Sequence, residues 1–430
     1  MKNLGEMKMK LKSFFLKNCN RYYTIFTAVL FFIHIFLPLN WADDAIFMKK
    51  VYQLSISEFL KTSARPLVDA MTYFFAKYPI FWRLTNPIII LILTLLICKY
   101  LKLKSKNERI FVSIAILFPS LVMVDAGFIA TTLNYLWPVT FGLLCLLPSW
   151  KIFNNEKVCW YEMLLLLPLL LYATNMQQMS VVLTFLFALS CIIMIVKRKS
   201  IHMNYYIFFQ FAVAFCGLLY SYHLNTSGEN SRMIRETARY FPNFASLSIL
   251  QKFELGFSST FFGMTMNLHL PWLGFFAFVS LLLYMTLRKN RSLLYVIAMA
   301  FPVVFNIFGL IQSVLPQRFR FLSELLQGEM KNWKMNKAIY SFEPVLDIIF
   351  IVIILCMIFT LWSLFENKKF FIVSMFTLAV GTGSRLMMGF SPTVWASGCR
   401  TYYIMFISMI IVSALVINQN NVSNKKIANM

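Results

Sequence analysis

The sequence predicts an all-α, polytopic integral membrane protein with about twelve transmembrane helices. Of its 430 residues, 59% are hydrophobic and 13% are charged, and the mean hydropathy is +0.69, which does not suit a water-exposed surface. Apolar runs of about 17 to 22 residues, long enough to cross a bilayer, recur along the chain. The formal net charge of +23 comes from Lys and Arg clusters between these runs. This distribution is typical of membrane topology, so no nucleic-acid partner is expected.

The apolar runs are the candidate spans. They begin near Tyr23, Leu84, Ile110, Tyr135, Trp160, Met179, Tyr205, Pro271, Ser292, Val345, Phe370 and Thr401. The first run follows a basic segment and lacks a small-residue cleavage site, so we expect an uncleaved span rather than a signal peptide. No repeat or soluble domain is evident, and residues 1–430 are expected to form a single polytopic membrane domain.

The basic clusters predict which loops face the cytoplasm, because Lys and Arg beside short loops are retained there. With a cytoplasmic N-terminus, every cluster falls on the cytoplasmic side, and both termini are then cytoplasmic. The basic connections are at 102–109, 151–157, 197–199, 288–291, 368–369 and 425–426. The opposite face receives six outer segments, namely 41–83, 125–134, 174–178, 223–256, 315–344 and 390–400.

The first outer segment, 41–83, contains an apolar stretch from Pro66 to Trp82. Asp69 and Lys77 within it argue against a full membrane crossing, so an interfacial or re-entrant helix is predicted. Segments 223–256 and 315–344 are the other large outer loops.

Two adjacent carboxylates, Asp43 and Asp44, directly follow the first span and are the catalytic candidates. Carboxylates this close suit proton abstraction from a substrate or the binding of a divalent cation such as Mg²⁺ or Mn²⁺. The alternative is a solvated start of the loop without a chemical role.

Arginines are unexpectedly frequent on the predicted outer face, where the positive-inside rule disfavours them. They are Arg65, Arg232, Arg235, Arg239, Arg318, Arg320, Arg385 and Arg400. The planar guanidinium group binds phosphate oxygens at two points, so the set predicts an anionic ligand such as a lipid phosphate. Contacts with lipid headgroups, or with Glu229, Glu236 and Glu254, are the alternative.

Amide and aromatic side chains are also expected at the outer face. The candidate substrate contacts among them, together with one carboxylate, are Asp125, Asn134, Tyr135, Trp137, Gln177 and Gln178. Aromatic rings beside an amide can form a platform for a sugar, and amides can bond its hydroxyl groups. Membrane-interface aromatics and simple loop polarity are the alternatives.

A first span followed at once by the acidic pair Asp43 and Asp44, and then by many spans with a phosphate-friendly outer face, resembles the GT-C superfamily of glycosyltransferases. More narrowly, four short motifs resemble an uncharacterised bacterial family that is similar to surface-polysaccharide glucosyltransferases. They are Trp41-Ala42-Asp43-Asp44, Leu133-Asn134-Tyr135-Leu136-Trp137-Pro138, Ser227-Gly228-Glu229-Asn230-Ser231-Arg232 and Ser397-Gly398-Cys399-Arg400. The resemblance implies a GT-C-like fold and a catalytic acid in the first outer loop, at Asp43 or Asp44. Metal-dependent members carry a spaced D-x-D motif instead of an adjacent pair, so no cofactor is assigned and Mg²⁺ or Mn²⁺ remains a candidate.

The resemblance implies an inverting transfer of a sugar from a polyprenyl-phosphate donor to a cell-surface glycan or lipid-linked acceptor. The reaction would take place on the extracytoplasmic face of a bacterial plasma membrane, with Arg232, Arg385 and Arg400 holding the donor phosphate. A glycan polymerase or ligase is one alternative. A lipid-linked sugar flippase or transporter is another, although charges deep in several spans would then be expected.

Overall fold

A computed structural model describes residues 21–428, except 62, 104, 125, 197–200, 227–231, 290, 316–339 and 341–343. Within this part of the chain all regular structure is helical. The prediction of an all-α protein is confirmed.

The N-terminal part begins with one apolar helix, continues through three short helices of the first outer segment, and then enters the bundle. Its helices are α1 (Arg21–Phe36), α2 (Ala42–Lys50), α3 (Ile56–Leu60), α4 (Pro66–Lys77), α5 (Pro79–Tyr100), α6 (Lys106–Ala115) and α7 (Leu117–Leu121). A 3₁₀ turn, Val122–Val124, extends α7. α4 covers the first part of the stretch from Pro66 to Trp82, and α5, a candidate span, begins inside that stretch at Pro79, while the interfacial position of α4 stays a prediction.

The middle of the chain contains long apolar helices and one short polar helix. They are α8 (Phe128–Thr131), α9 (Trp137–Phe153), α10 (Trp160–Thr174), α11 (Gln177–Val196), α12 (Ile201–Thr226), the polar α13 (Arg232–Tyr240) and α14 (Ile249–Thr265). A π-helical turn, Thr132–Leu136, joins α8 to α9, so that 128–153 is one continuous helix.

The C-terminal part consists of five further long helices. They are α15 (Leu270–Arg288), α16 (Leu293–Val314), α17 (Pro344–Leu364), α18 (Lys368–Leu386) and α19 (Tyr403–Ala428). 3₁₀ turns at Met387–Phe390 and Cys399–Tyr402 flank the connection between α18 and α19.

In the described part of the chain, ten helices are long and apolar enough to cross a membrane. Two shorter apolar helices, Tyr22–Phe36 and Trp160–Thr174, occupy the positions of two further predicted spans. A multi-pass membrane protein is therefore confirmed, whereas the count of twelve and the orientation of the termini stay predictions.

The last helix, α19, lies at the centre of the bundle. Ile404 and Ile407 belong to a core formed with α1, α5 and α8 to α12, while Phe406 and Met409 belong to a second core formed with α14 to α18. α19 thus packs between two halves of the molecule, and its outer end directly follows the last outer segment.

Connections that the basic clusters assign to one face contact each other. Nζ of Lys102 donates to Asn154 Oδ1 at 2.7 Å, joining the connections at 102–109 and 151–157. Nζ of Lys289 likewise donates to the carbonyl of Leu364 at 2.7 Å, near the connection at 368–369. These contacts agree with the alternation of loops that the charge pattern predicts.

Candidate functional site

A cavity of about 250 Å³ lies where the predicted outer segments meet. Five of the six segments, or residues directly beside them, contribute to its lining, for example through Arg65, Tyr135, Gln178, Arg232 and Ser397. The sixth segment, 315–344, falls almost entirely outside the described residues. Segments far apart in sequence therefore build one site.

The lining combines polar and apolar side chains. Its apolar part is formed by Met176, Val181, Leu218, Met233, Met387, Met388 and Phe390. Methionine side chains are flexible and polarisable, so they adapt to irregular apolar ligands. Beside the arginines, this surface suits a molecule with one charged and one apolar part.

Arg65, the residue directly before α4, lines the cavity. The Oδ1 atom of Asn175 accepts hydrogen bonds from the backbone amides of Leu67 at 3.0 Å and Val68 at 3.3 Å. These amides belong to the first turn of α4, where donors lack partners inside the helix. Asn175, next to the cavity residues Met176 and Gln177, thus fixes the start of α4 and the position of Arg65.

Charged groups of both signs surround Arg65. Burial lowers the pKa of Arg65, and the nearby Arg232 and Arg400 lower it further, whereas Asp69 and Tyr135 raise it. Guanidinium groups that destabilise each other's charge are stabilised by a bound anion. This corner of the cavity therefore offers guanidinium donors to an anionic ligand, although Arg232 and Arg400 are each already paired with a carboxylate.

The second arginine of the lining lies on the short helix α13. Nε of Arg232 is 3.3 Å from Oε1 of Glu236, one turn along the same helix, and both residues line the cavity. Arg235 and Arg239 on this helix are exposed and do not line it. The structure therefore brings Arg232, but not Arg235, to the site.

Asp43 and Arg400 do not line the cavity; they form its rim in the sense that Arg400 contacts both Asp43 and a lining residue. Nη1 of Arg400 lies 3.3 Å from Oδ2 of Asp43, and Nε of Arg400 donates to the carbonyl of the cavity residue Ser397 at 3.0 Å. The Asp43 side chain keeps 43% of its surface exposed. Its carboxylate is thus open to a substrate.

The carboxylate of Asp44, the next residue, is buried, and both of its oxygens accept hydrogen bonds. Its Oδ2 accepts from the backbone amide of Ile129 at 2.9 Å, and its Oδ1 accepts from that of Ala130 at 2.8 Å. Burial raises the pKa of Asp44 to about 6, although these two hydrogen bonds act in the opposite direction. Asp44 therefore serves as the N-terminal cap of the helix 128–153.

This cap explains a difference from the sequence prediction. Segment 125–134 was predicted to be an outer loop, but it is helical from Phe128 onward. Its first amides find their acceptor in Asp44, more than 80 positions earlier in the chain. Local sequence could not reveal that partner.

Gly127 allows the close approach of Asp44. Its φ of 98° lies in a region that favours glycine, and a Cβ atom there would stand 2.6 Å from Cγ of Asp44. Any larger residue would displace the carboxylate. The sequence contained this glycine without indicating its role.

The motif around Asn134 divides between cavity and core. Tyr135 lines the cavity. Asn134 is buried and donates to the carbonyl of Ala130 at 2.7 Å, and Trp137 is buried with Nε1 donating to Oδ1 of Asn86 at 3.0 Å. The rings of Trp137 and Phe75 pack against each other, with their centroids 5.3 Å apart. The structure therefore places Trp137 in the packed core and outside the lining of the cavity.

Gln177 and Gln178 begin α11 and both line the cavity. Nε2 of Gln178 donates to the carbonyl of Ser384 at 3.1 Å, which ties α11 to the end of α18. Arg385, the next residue, is not part of the lining; it is 2% exposed, and its guanidinium group lies 4.6 Å from the centroid of the Tyr402 ring. Nη2 of Arg385 donates to the carbonyl of Val394 at 3.3 Å, which holds the last outer segment.

Three of the predicted residues cannot be placed. Asp125, Arg318 and Arg320 lie outside the described residues. In the part of the chain that is described, no three His, Cys, Asp or Glu side chains come together as a metal site would require. Binding of Mg²⁺ or Mn²⁺ at Asp43 and Asp44 stays a prediction.

Comparisons with protein-family models, with curated proteins and with solved structures find no match to this chain. The likeness to the GT-C superfamily thus stays a prediction from its motifs.

Proposed function

We propose that this chain is a membrane glycosyltransferase that takes a sugar from a polyprenyl-phosphate donor at the cavity. The sugar passes to a cell-surface glycan or a lipid-linked acceptor outside a bacterial plasma membrane. One observation carries the proposal: Arg65 and Arg232, with Arg400 nearby, bring three guanidinium groups together beside an apolar, methionine-rich wall. A lipid phosphate has the same division into an anionic head and an apolar chain.

The polar lining supplies groups that fit a sugar. Besides the arginines, the cavity offers the amides of Gln177 and Gln178 and the hydroxyl groups of Ser391 and Thr393. Amides and hydroxyl groups both donate to and accept from sugar hydroxyls. The donor phosphate would contact the guanidinium groups, while the sugar lies toward these residues.

Asp43 is the residue we assign as general base. It would accept the proton of the acceptor hydroxyl as that oxygen attacks the anomeric carbon of the donor. The bond between that carbon and the phosphate oxygen breaks, and its electron pair stays with the phosphate, whose charge Arg65 and Arg232 stabilise. Direct displacement of this kind inverts the anomeric configuration.

Glu236, unlike Asp43, lines the cavity itself and is therefore the rival base. Its partner, Arg232, lies four residues earlier on the same helix at 3.3 Å, an arrangement common on helix surfaces. Asp43 has its partner on a different segment and belongs to the acidic motif. Comparison of Asp43→Asn with Glu236→Gln separates these two assignments.

A transfer assay tests the proposal. Purified protein in phospholipid nanodiscs is given a panel of radiolabelled polyprenyl-phosphate hexoses and an acceptor extract from the surface glycan, and released polyprenyl phosphate is measured. We expect release with one donor, and a large loss in Arg65→Gln and Arg232→Gln. Arg239→Gln is the matched control, because Arg239 lies on α13 but outside the cavity.

Product analysis separates the alternatives. Addition of one sugar per acceptor supports the proposed transfer, whereas joining of preformed repeat units would indicate a polymerase or ligase. Movement of intact donor across a sealed vesicle membrane without release of polyprenyl phosphate would indicate a transporter. Absence of release with every donor would contradict the proposed function.

A further inference from the structure

Residues 41–44 dock on the segment that leads into the helix 128–153. Nε1 of Trp41 donates to the carbonyl of Val124 at 3.0 Å, and the backbone amide of Asp43 donates to the carbonyl of Ala126 at 3.2 Å. Asp44 also accepts from the backbone amides of Ile129 and Ala130, and these contacts of residues 41–44 with the start of the helix 128–153 and the segment before it together form what we call the dock. Side-chain and backbone bonds thus connect the first two outer segments.

The dock determines where Asp43 stands. Its backbone is tied to Ala126 and its neighbour Asp44 is buried, so the Asp43 side chain points away from the dock and meets Arg400. The same helix that Asp44 caps carries Tyr135 into the cavity two turns later. One buried carboxylate therefore connects two groups of the site.

We propose that Asp44 is a positioning residue, which holds Asp43 at the cavity rim by capping the helix 128–153, and that Gly127 is its required partner. This inference deepens the proposed function, on which its catalytic part rests. Both oxygens of Asp44 are engaged by backbone donors, so its role is distinct from that of the exposed Asp43.

Gly127 offers a second, independent way to disturb the cap formed by Asp44. A Cβ atom at this position would stand 2.7 Å from Oδ1 and 2.9 Å from the backbone nitrogen of Asp44, both below normal contact distance. Gly127→Ala therefore displaces Asp44 without changing any charge. It should reproduce the effect of removing the cap.

Two measurements test the inference in nanodiscs, using Asp44→Asn, Gly127→Ala and the partial replacement Asp44→Ser, since serine also caps helices. Hydrogen exchange should be faster than in wild type over 41–50 and 128–136. Transfer should show kcat lowered about 10- to 100-fold, as expected for misplaced groups, with donor KM changed less than about twofold. Glu58→Gln is the control, because Glu58 is an exposed capping carboxylate of the same outer segment.

The pH profile distinguishes positioning from proton transfer. Asp44→Asn should lower the rate but keep the limb that reports the base, and Asp44→Ser should restore part of the rate, whereas Asp43→Asn should remove that limb. Loss of that limb in Asp44→Asn, with its retention in Asp43→Asn, would make Asp44 the base and overturn the inference. Unchanged hydrogen exchange in both Asp44→Asn and Gly127→Ala would also overturn it.

The exchange experiment needs no substrate and so remains informative if no donor is used. Faster exchange together with the absence of transfer in wild type would support the dock and contradict the proposed function. Normal transfer in wild type with unchanged exchange in the variants would support the proposed function and contradict the dock.

Discussion

Nη1 of Arg400 lies 3.3 Å from Oδ2 of Asp43, across 357 positions of the chain. The two side chains keep 27% and 43% of their surface exposed. Pairs this exposed contribute at most about 1 kcal/mol to stability. The pair therefore matters chiefly because it joins the first and last outer segments at the cavity and aligns the Asp43 carboxylate.

Asp43→Asn should abolish transfer without destabilising the protein. The amide keeps the shape of the side chain but cannot take a proton, and loss of a general base lowers rates about 10²- to 10⁴-fold. The rate of polyprenyl-phosphate release and the melting temperature should be measured together. Glu236→Gln should lose much less activity; the reverse order would transfer the role of base to Glu236.

The helical bundle, and several of the residues that gather at one end of it, could be predicted from sequence. Apolar runs and Lys/Arg clusters are local patterns, and they report directly on the membrane and its two faces. Arg65 and Arg232 are candidates because they depart from the positive-inside rule, Gln178 is one because it is an amide in a predicted loop, and the structure brings all three to one cavity.

The division of labour between neighbouring acids could not be predicted, because it depends on partners far along the chain. Asp44 is distinguished from Asp43 only by the amides of Ile129 and Ala130, and Asn175 caps α4 from more than 100 positions away. The same holds for Trp137, whose interfacial motif indicates a surface while its indole is bonded to the buried Asn86.

Arg65→Lys should bind the donor more weakly than the wild type, although it keeps the positive charge. Lysine keeps the positive charge but presents a single point donor in place of the planar fork that contacts two phosphate oxygens. We expect donor KM to rise about tenfold in Arg65→Lys, and further in Arg65→Gln, corresponding to a loss of about 1.4 kcal/mol or more. Titration of purified protein with polyprenyl phosphate would measure this; equal affinity in all three proteins would place the phosphate elsewhere.

Gly256→Ala should destabilise the packing of α14 against the end of α18, beside the cavity, although Gly256 does not line the cavity itself. A Cβ atom on Gly256 would stand 2.1 Å from the carbonyl oxygen of Leu386, so α14 would have to move away from the end of α18. Overpacking of this kind costs about 1 to 3 kcal/mol. Thermal unfolding in detergent should show a lower melting temperature.

Gly383 provides the matched control for that variant. It lies on α18 three residues from Leu386, and a Cβ atom there would meet nothing within 4 Å. Gly383→Ala should therefore raise the melting temperature slightly, because alanine is the better helix former by about 1 kcal/mol. A similar loss of stability in both variants would mean that the close approach at Gly256 is not the cause.

The stability of the outer segments should fall as the pH rises through the pKa of Asp44. Burial raises this pKa from 3.8 to about 6, so between these values the folded protein holds a proton that the unfolded chain releases. The stabilisation is complete below about pH 4 and is lost as the pH passes 6, a change on the order of 3 kcal/mol. Asp44→Asn cannot titrate, so its melting temperature should vary less over this range. If instead the melting temperature of the wild type rises relative to that of the variant between pH 4 and 7, the hydrogen bonds from Ile129 and Ala130 outweigh burial, and the ionised cap is the stable form.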